Sequence, residues 1–177
     1  MATPDEKLSA LGIVLPPAAP GVGAYLPWMR IGDRVTTSLQ LPWVVNAETG
    51  EKSLLMTGAC GSAEVPIERA FEAARQCAIN GIAQMKHAAE SVGGDLSWVQ
   101  MVRLEGNVAC APDFINSPEV LNAASELLND VLGKRGYHTR TALHFPTLPL
   151  NCPVLLGFEF LVMDPKTSTT EFDFPGK

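Results

Sequence analysis

Gly136-Tyr137-His138-Thr139-Arg140-Thr141-Ala142-Leu143-His144-Phe145, continuing through Leu148-Pro149-Leu150-Asn151-Cys152-Pro153 into Val154-Leu155-Leu156-Gly157-Phe158, decides the fold. The first part alternates and carries β-branched and aromatic residues, the pattern of a strand. Arg140, Ala142 and His144 then share one face, and Thr139, Thr141, Leu143 and Phe145 the other. The run from Val154 to Phe158 is apolar in both alternations, so a strand there is buried on both faces. No acidic residue lies between Asp130 and Glu159 to neutralise Arg140 locally. A guanidinium held on a sheet is a rigid two-pronged donor that matches a carboxylate or phosphate. Pattern alone favours a plainer role, a solvated edge charge that discourages strand-on-strand pairing.

Upstream, Trp28-Met29-Arg30-Ile31 and Val35 to Leu41 flank Gly32-Asp33, a dipeptide suited to a tight hairpin. Pro42 stops the second ladder. Between Trp43 and Glu64 the chain is Gly-rich, with one short strand candidate at Leu54-Leu55-Met56. Pro66 then fits the first turn of a long helix, with Ile67, Phe71, Ala74, Ala78, Ile82, Met85 and Ala89 at helical spacing and Gly93-Gly94 closing it. A third long strand spans Trp98 to Leu104. A second helix starts at Ser117-Pro118-Glu119, with Ser117 as N-cap, and ends at Gly133. The order is hairpin, helix, strand, helix, strand, strand: an α+β layer with both helices on one face of the sheet. Nothing is left over to cover the other face, so self-association is the simplest cover, with any pocket at a subunit boundary.

The chain has 177 residues, enough for one domain with a core. A single domain is expected over 1–163 and a polar tail over 164–177. With 46% hydrophobic and 18% charged residues it is not a disordered chain. The net charge of −6 and scattered basic residues argue against nucleic-acid binding, which needs clustered Lys and Arg. Cys60, Cys77, Cys110 and Cys152 form no C-x-x-C pair, and His87, His138 and His144 add no ligand spacing, so no metal or other cofactor is expected. Buried free thiols suit a reducing compartment. The segment Met1 to Ala10 has neither a basic n-region nor an apolar h-region, and no membrane span is visible; cytoplasm is the expected location.

Together these pieces resemble the RidA family, also called YjgF or L-PSP, from about Leu11 to Val162. The carrying motifs are Gly21 to Leu41, the helix Ala70-x-x-Ala73-Ala74-Arg75-Gln76-Cys77-Ala78-Ile79-Asn80, Val120-Leu121-Asn122-Ala123-Ala124-Ser125, and His138-Thr139-Arg140 through Val154. The resemblance implies a chorismate-mutase-like α+β homotrimer with clefts between subunits. It also implies hydrolysis of 2-imino and 2-enamino acids to a 2-keto acid and ammonia. By motif match, Arg140 would grip the substrate carboxylate, Tyr25 would wall the cleft, and Ser38 and Asn122 would offer hydrogen bonds. Each has a plainer reading: Tyr25 as a core-edge aromatic, Ser38 as a strand residue, Asn122 as a partner of local backbone. His138 and His144 match no family role, which favours surface or packing positions.

Three departures stand out. Where the family carries a last-strand glutamate thought to position water, the match through Leu148-Pro149 places Leu155, which can neither accept a proton nor orient water. Ala142 replaces a cysteine two residues after the arginine, and Leu39 replaces the glycine after the serine, so Leu39, Ala142 and Leu155 are expected to line the cleft. Glu159 lies four residues beyond Leu155, roughly 13 Å along a strand, too far to stand in. Glu126 or Glu105 of a neighbouring subunit are the remaining candidates. The resemblance thus leaves three readings: a deaminase of weak turnover, a non-catalytic binder of small carboxylates, and an L-PSP-type endoribonuclease, against which the acidic charge weighs.

Overall fold

The computed structural model describes residues 2–46, 48–170 and 174. Among them, seven strands and four α-helices form an α+β layer: α1 (Pro4–Ala10), β1 (Trp28–Ile31), β2 (Arg34–Thr37), β3 (Trp43–Val45), β4 (Lys52–Leu54), α2 (Ile67–Glu90), β5 (Val99–Ala109), α3 (Ser117–Val120), α4 (Asn122–Leu132), β6 (Thr139–Phe145) and β7 (Val154–Val162). The main sheet runs β1-β2-β7-β5-β6. All its neighbours are antiparallel except β5 and β6, which are parallel and joined by the α3–α4 crossover.

Both long helices cover one face, as their single apolar stripes demand. Leu104, Val108, Val154, Leu156, Phe158 and Phe160 meet Ala74, Ala78, Ile82, Leu127, Leu128 and Val131 in one buried core. Helix α2 comes unusually close to β7 at Gly81: a methyl group there would lie 2.3 Å from the Phe158 ring. A side chain at 81 would therefore push helix and sheet apart.

Several expectations shift. Pro66 is the N-cap of α2 rather than a residue of its first turn. Ser117 lies inside α3, whose N-cap position is Asn116, and its hydroxyl instead meets His144 Nε2. The expected second helix is broken at Leu121 into α3 and α4. The Pro118 carbonyl, which residue 122 would bond in an unbroken helix, accepts from Arg140 Nη2 at 2.9 Å. Strand β5 runs on to Ala109, five residues past the expected end, because β6 and β7 flank it on both sides. The short strand lies at Lys52–Leu54 and pairs with the unanticipated β3. Helix α1 was also unanticipated; its capping box pairs the Thr3 side chain with the Glu6 N–H and the Glu6 carboxylate with the Thr3 N–H.

The second face of the sheet is partly covered from within the chain, contrary to expectation. After β2, Gln40 pairs with Leu156, and the chain turns over the start of β7. Asn80 Nδ2 donates to the Leu41 and Trp43 carbonyls at 2.8 and 3.0 Å, fastening that turn to α2. Leu41, Leu54 and Ala59 then close over Ala109, Leu148, Cys152 and Leu155. The β1–β2 edge stays open, with Met29 and Ile31 54% and 75% exposed, as do Glu105 on β5 and Leu143 on β6. In the expected tail, Asp164 caps a turn and the Phe174 ring sits edge-on to Tyr137 at 5.5 Å; residues 171–173 and 175–177 lie outside the described residues.

Candidate functional site

The expected site residues fall into two groups on opposite edges of the sheet. Arg140 lies on the outer strand β6, directly beside Leu104, so its side chain leaves the helix-covered face and reaches the α3–α4 junction. There Nη1 donates to Ser125 Oγ at 3.0 Å, and Nη2 donates to Asn122 Oδ1 at 2.8 Å as well as to the Pro118 carbonyl. Asn122 and Ser125 are three apart on α4 and so share the face that looks at β6. Ala142 follows on the same strand face and packs against the main core.

Behind Ser125 stands His138. Its Nδ1 lies 2.6 Å from the Gly136 carbonyl, and its Nε2 lies 3.0 Å from Ser125 Oγ. A carbonyl only accepts, so Nδ1 carries the proton, neutral Nε2 accepts from the Ser125 hydroxyl, and that oxygen is left to accept from Arg140. Every link has one donor and one acceptor. Burial holds the His138 pKa below its usual value, with the Arg140 charge adding to the effect and the Gly136 hydrogen bond opposing it. The surface or packing role expected for His138 therefore gives way to a supporting one.

All three acceptors on Arg140 are neutral. Among the described residues it has no carboxylate partner. The geometry also corrects the idea of a bare two-pronged donor. Either fork of a guanidinium uses an Nη2 hydrogen, and both are engaged, leaving Nε–H and one Nη1–H.

The second group lies at the other edge. Tyr25 and Ser38 border one hollow of about 740 Å³ together with Leu26, Trp28, Met29, Ile31, Arg34, Thr36 and Thr37. Tyr25 is half exposed, and Ser38 Oγ donates to the Leu26 carbonyl at 2.6 Å, pinning the segment that carries the tyrosine. Leu39 is 40% exposed and overhangs Gly157. Leu155 is only 3% exposed, beneath the Leu41–Ala59 cover, so it lines no open cleft of the single chain. Glu159 is bound to Arg34 at 2.9 Å. Between β2 and β6 stand β7 and β5, which puts the two groups about 14 Å apart at ~4.8 Å per strand.

The fold recurs in known proteins. Residues 5–161 match the model of the family described as "YjgF/chorismate_mutase-like, putative endoribonuclease". The chain belongs to this family. A structure from Shewanella oneidensis MR-1, bearing the same endoribonuclease description, is 33% identical with a TM-score of 0.80, covering 91% of this chain and 100% of that one. Protein Atu1372 of Agrobacterium tumefaciens, of unknown function, is 34% identical with a TM-score of 0.75, over 90% of this chain and 92% of its own. Protein TCP17 of Trypanosoma cruzi is 34% identical over 84% of this chain and 87% of its length. The YjgF gene product of E. coli shares the fold at 23% identity and a TM-score of 0.51, over 82% of this chain and 91% of that one.

Among the described residues, no helix is long and apolar enough to cross a membrane, and no group of His, Cys, Asp or Glu is arranged to hold a metal. The four cysteines are free; burial pushes Cys60 up to about 12 and Cys152 up to about 11.

Proposed function

We propose that this YjgF-family chain is a RidA-like deaminase that hydrolyses 2-imino and 2-enamino acids to 2-keto acid and ammonia in the cytoplasm. Its clefts are shared between the copies of a homotrimer. The supporting observation is Arg140, a cation without an acidic partner among the described residues, held in place by three neutral oxygens. A site of that kind is set up for an anion supplied from outside. An incoming carboxylate takes a fork of the guanidinium by displacing an acceptor. The exposed Asn122 side chain yields more readily than the Pro118 backbone, and its amide can then donate to the ligand.

The 14 Å between the two groups supports a shared cleft, in which Arg140 of one copy faces Tyr25 and Ser38 of the next. The apolar wall at Met29 and Ile31 fits a surface covered by another copy. Four free thiols, three of them buried, agree with a reducing compartment.

The deciding assay generates 2-iminobutanoate in situ with an amino-acid oxidase and follows 2-oxobutanoate release. Acceleration by the wild-type chain, absent in Arg140→Ala, supports the reading. Tight 2-oxobutanoate binding without acceleration would replace it with the second reading, a binder of small carboxylates. Leu155 favours that second reading, since a buried leucine supplies no proton acceptor at the matched position. An endoribonuclease, the activity in the family's description, would need a basic track with stacking aromatics; thirteen scattered basic residues and a charge of −6 do not provide one.

A further inference from the structure

Resting on the deaminase reading, an imine hydrolase needs a group that takes a proton from the attacking water. We propose that Glu105, on the central strand β5, is that group. It sits opposite Gly157 of β7, one strand pair away from Asn107 and Leu155, which are themselves opposite each other. All four lie on the face away from the helices, and diagonal neighbours on one sheet face are close enough for long side chains to serve the same space. Glu105 is exposed where Leu155 is buried beneath the Leu41–Ala59 cover, so it presents a carboxylate on the same sheet face from the adjoining strand.

Three features fit the role. Asn107, itself 5% exposed, donates from Nδ2 to Glu105 Oε1 at 3.1 Å, which orients the carboxylate and leaves Oε2 to act. Gly157 provides room: a methyl group there would lie 3.1 Å from Leu39 Cδ2 and 3.8 Å from Glu105 Oε2. The carboxylate and the Leu39 side chain therefore both lie over Gly157, and Leu39 follows directly on Ser38. Glu105 also has no cationic partner among the described residues, whereas Glu159 on the same face is bound to Arg34. Glu126, near Asn122 and Ser125 on α4, has no side-chain donor to orient it among the described residues.

Glu105 and Arg140 leave opposite faces of the sheet, since Leu104 pairs with Arg140 and Glu105 with Thr141. They meet on one substrate only across a boundary between copies. With the substrate carboxylate on Arg140, a water oxygen bonds to the iminium carbon. One water proton passes to Glu105, and the C=N electron pair moves to nitrogen, giving a carbinolamine. Glu105 then returns the proton to that nitrogen. As the C–N bond breaks, the hydroxyl proton moves to Glu105 and the carbonyl forms. Ammonia takes this proton and leaves as ammonium, and the carboxylate is restored.

The test compares wild type with Glu105→Gln and Glu105→Asp, reading both 2-oxobutanoate release from 2-iminobutanoate and 2-oxobutanoate affinity by calorimetry. Glu105→Gln is expected to slow release by about 10²–10⁴-fold with affinity unchanged, and Glu105→Asp to fall between. Full rate in Glu105→Gln, or a loss found instead in Glu126→Gln, overturns the assignment alone and leaves the deaminase reading standing. Equal losses of rate and affinity show a structural role and overturn it as well. A wild-type chain that binds 2-oxobutanoate without accelerating release overturns the deaminase reading together with this one.

Discussion

The two edges of the sheet solve opposite problems. At the β6 edge, a charge is fixed by polar groups of known donor and acceptor sense, from Gly136 through His138 and Ser125 to Arg140. At the β1–β2 edge, Tyr25, Met29 and Ile31 stand exposed with few polar fixings. At the first edge, the Arg140 guanidinium is held by three neutral oxygens. The second is apolar surface that water covers poorly. In the proposed deaminase, one edge would serve recognition and the other contact, and a cleft built from both would need two copies of the chain.

The contrast breaks most sharply at Arg140. Arg140→Ala should weaken binding of 2-oxobutanoate by about 2–5 kcal/mol, measured by calorimetry, with the oligomer intact in sedimentation. Equal affinities would make Arg140 a structural charge. At the opposite edge, Ile31→Glu should destabilise assembly by about 1.5–3 kcal/mol per subunit, the loss expected when a buried isoleucine is given up. Sedimentation at falling concentration would show dissociation, and an unchanged oligomer would remove this edge from the interface.

Ser125→Ala sharpens the first edge. It takes away one acceptor of Arg140 and should lower carboxylate affinity by about 1 kcal/mol, the worth of a single hydrogen bond. His138→Gln gives the smallest effect, and the expected sign is definite. Burial in the folded state holds the His138 pKa below the usual histidine value of about 6.5, so the unfolded chain binds the proton more readily. Stability from this group is full above pH 6.5 and is lost as pH falls through the folded value. Denaturant midpoints between pH 7 and 5 should fall less in His138→Gln than in wild type.

Periodic features were legible. The alternation around Arg140, the helical spacing from Ile67 to Ala89 and the doubly apolar run after Val154 all became the elements they implied. The candidate site was half legible: motif order pointed to Arg140 and Asn122, whereas Ser125 was given no role and His138 was read as a surface or packing residue. Both hints were present, since Ser125 is three residues after Asn122 on a helix and His138 two residues before Arg140. Their meeting depends on how α4 docks against β6, a tertiary fact that neither local period encodes. Leu155 failed differently. Its place on β7 was right, but its burial comes from Leu41, Leu54 and Ala59, distant in sequence and carried on and around two three-residue strands too short to announce themselves. The capping box Thr3-Pro4-Asp5-Glu6 was readable and overlooked, because the polar composition of that segment dominated its reading.

The parallel pairing of β6 with β5 has a kinetic side. A parallel neighbour can be reached only by a crossover, here 110–138, so closing that loop costs entropy before any ladder bond repays it. Antiparallel β7, gripped by β2 and β5, carries the central part of the core. Strand β6, paired along one side only, is among the last parts of the sheet to settle and the first to let go. Arg140 therefore sits in a late-forming, early-opening unit, and its contacts with α4 can come apart while most of the molecule remains folded. A bound carboxylate, by holding β6 against α4, would tighten this edge of the sheet.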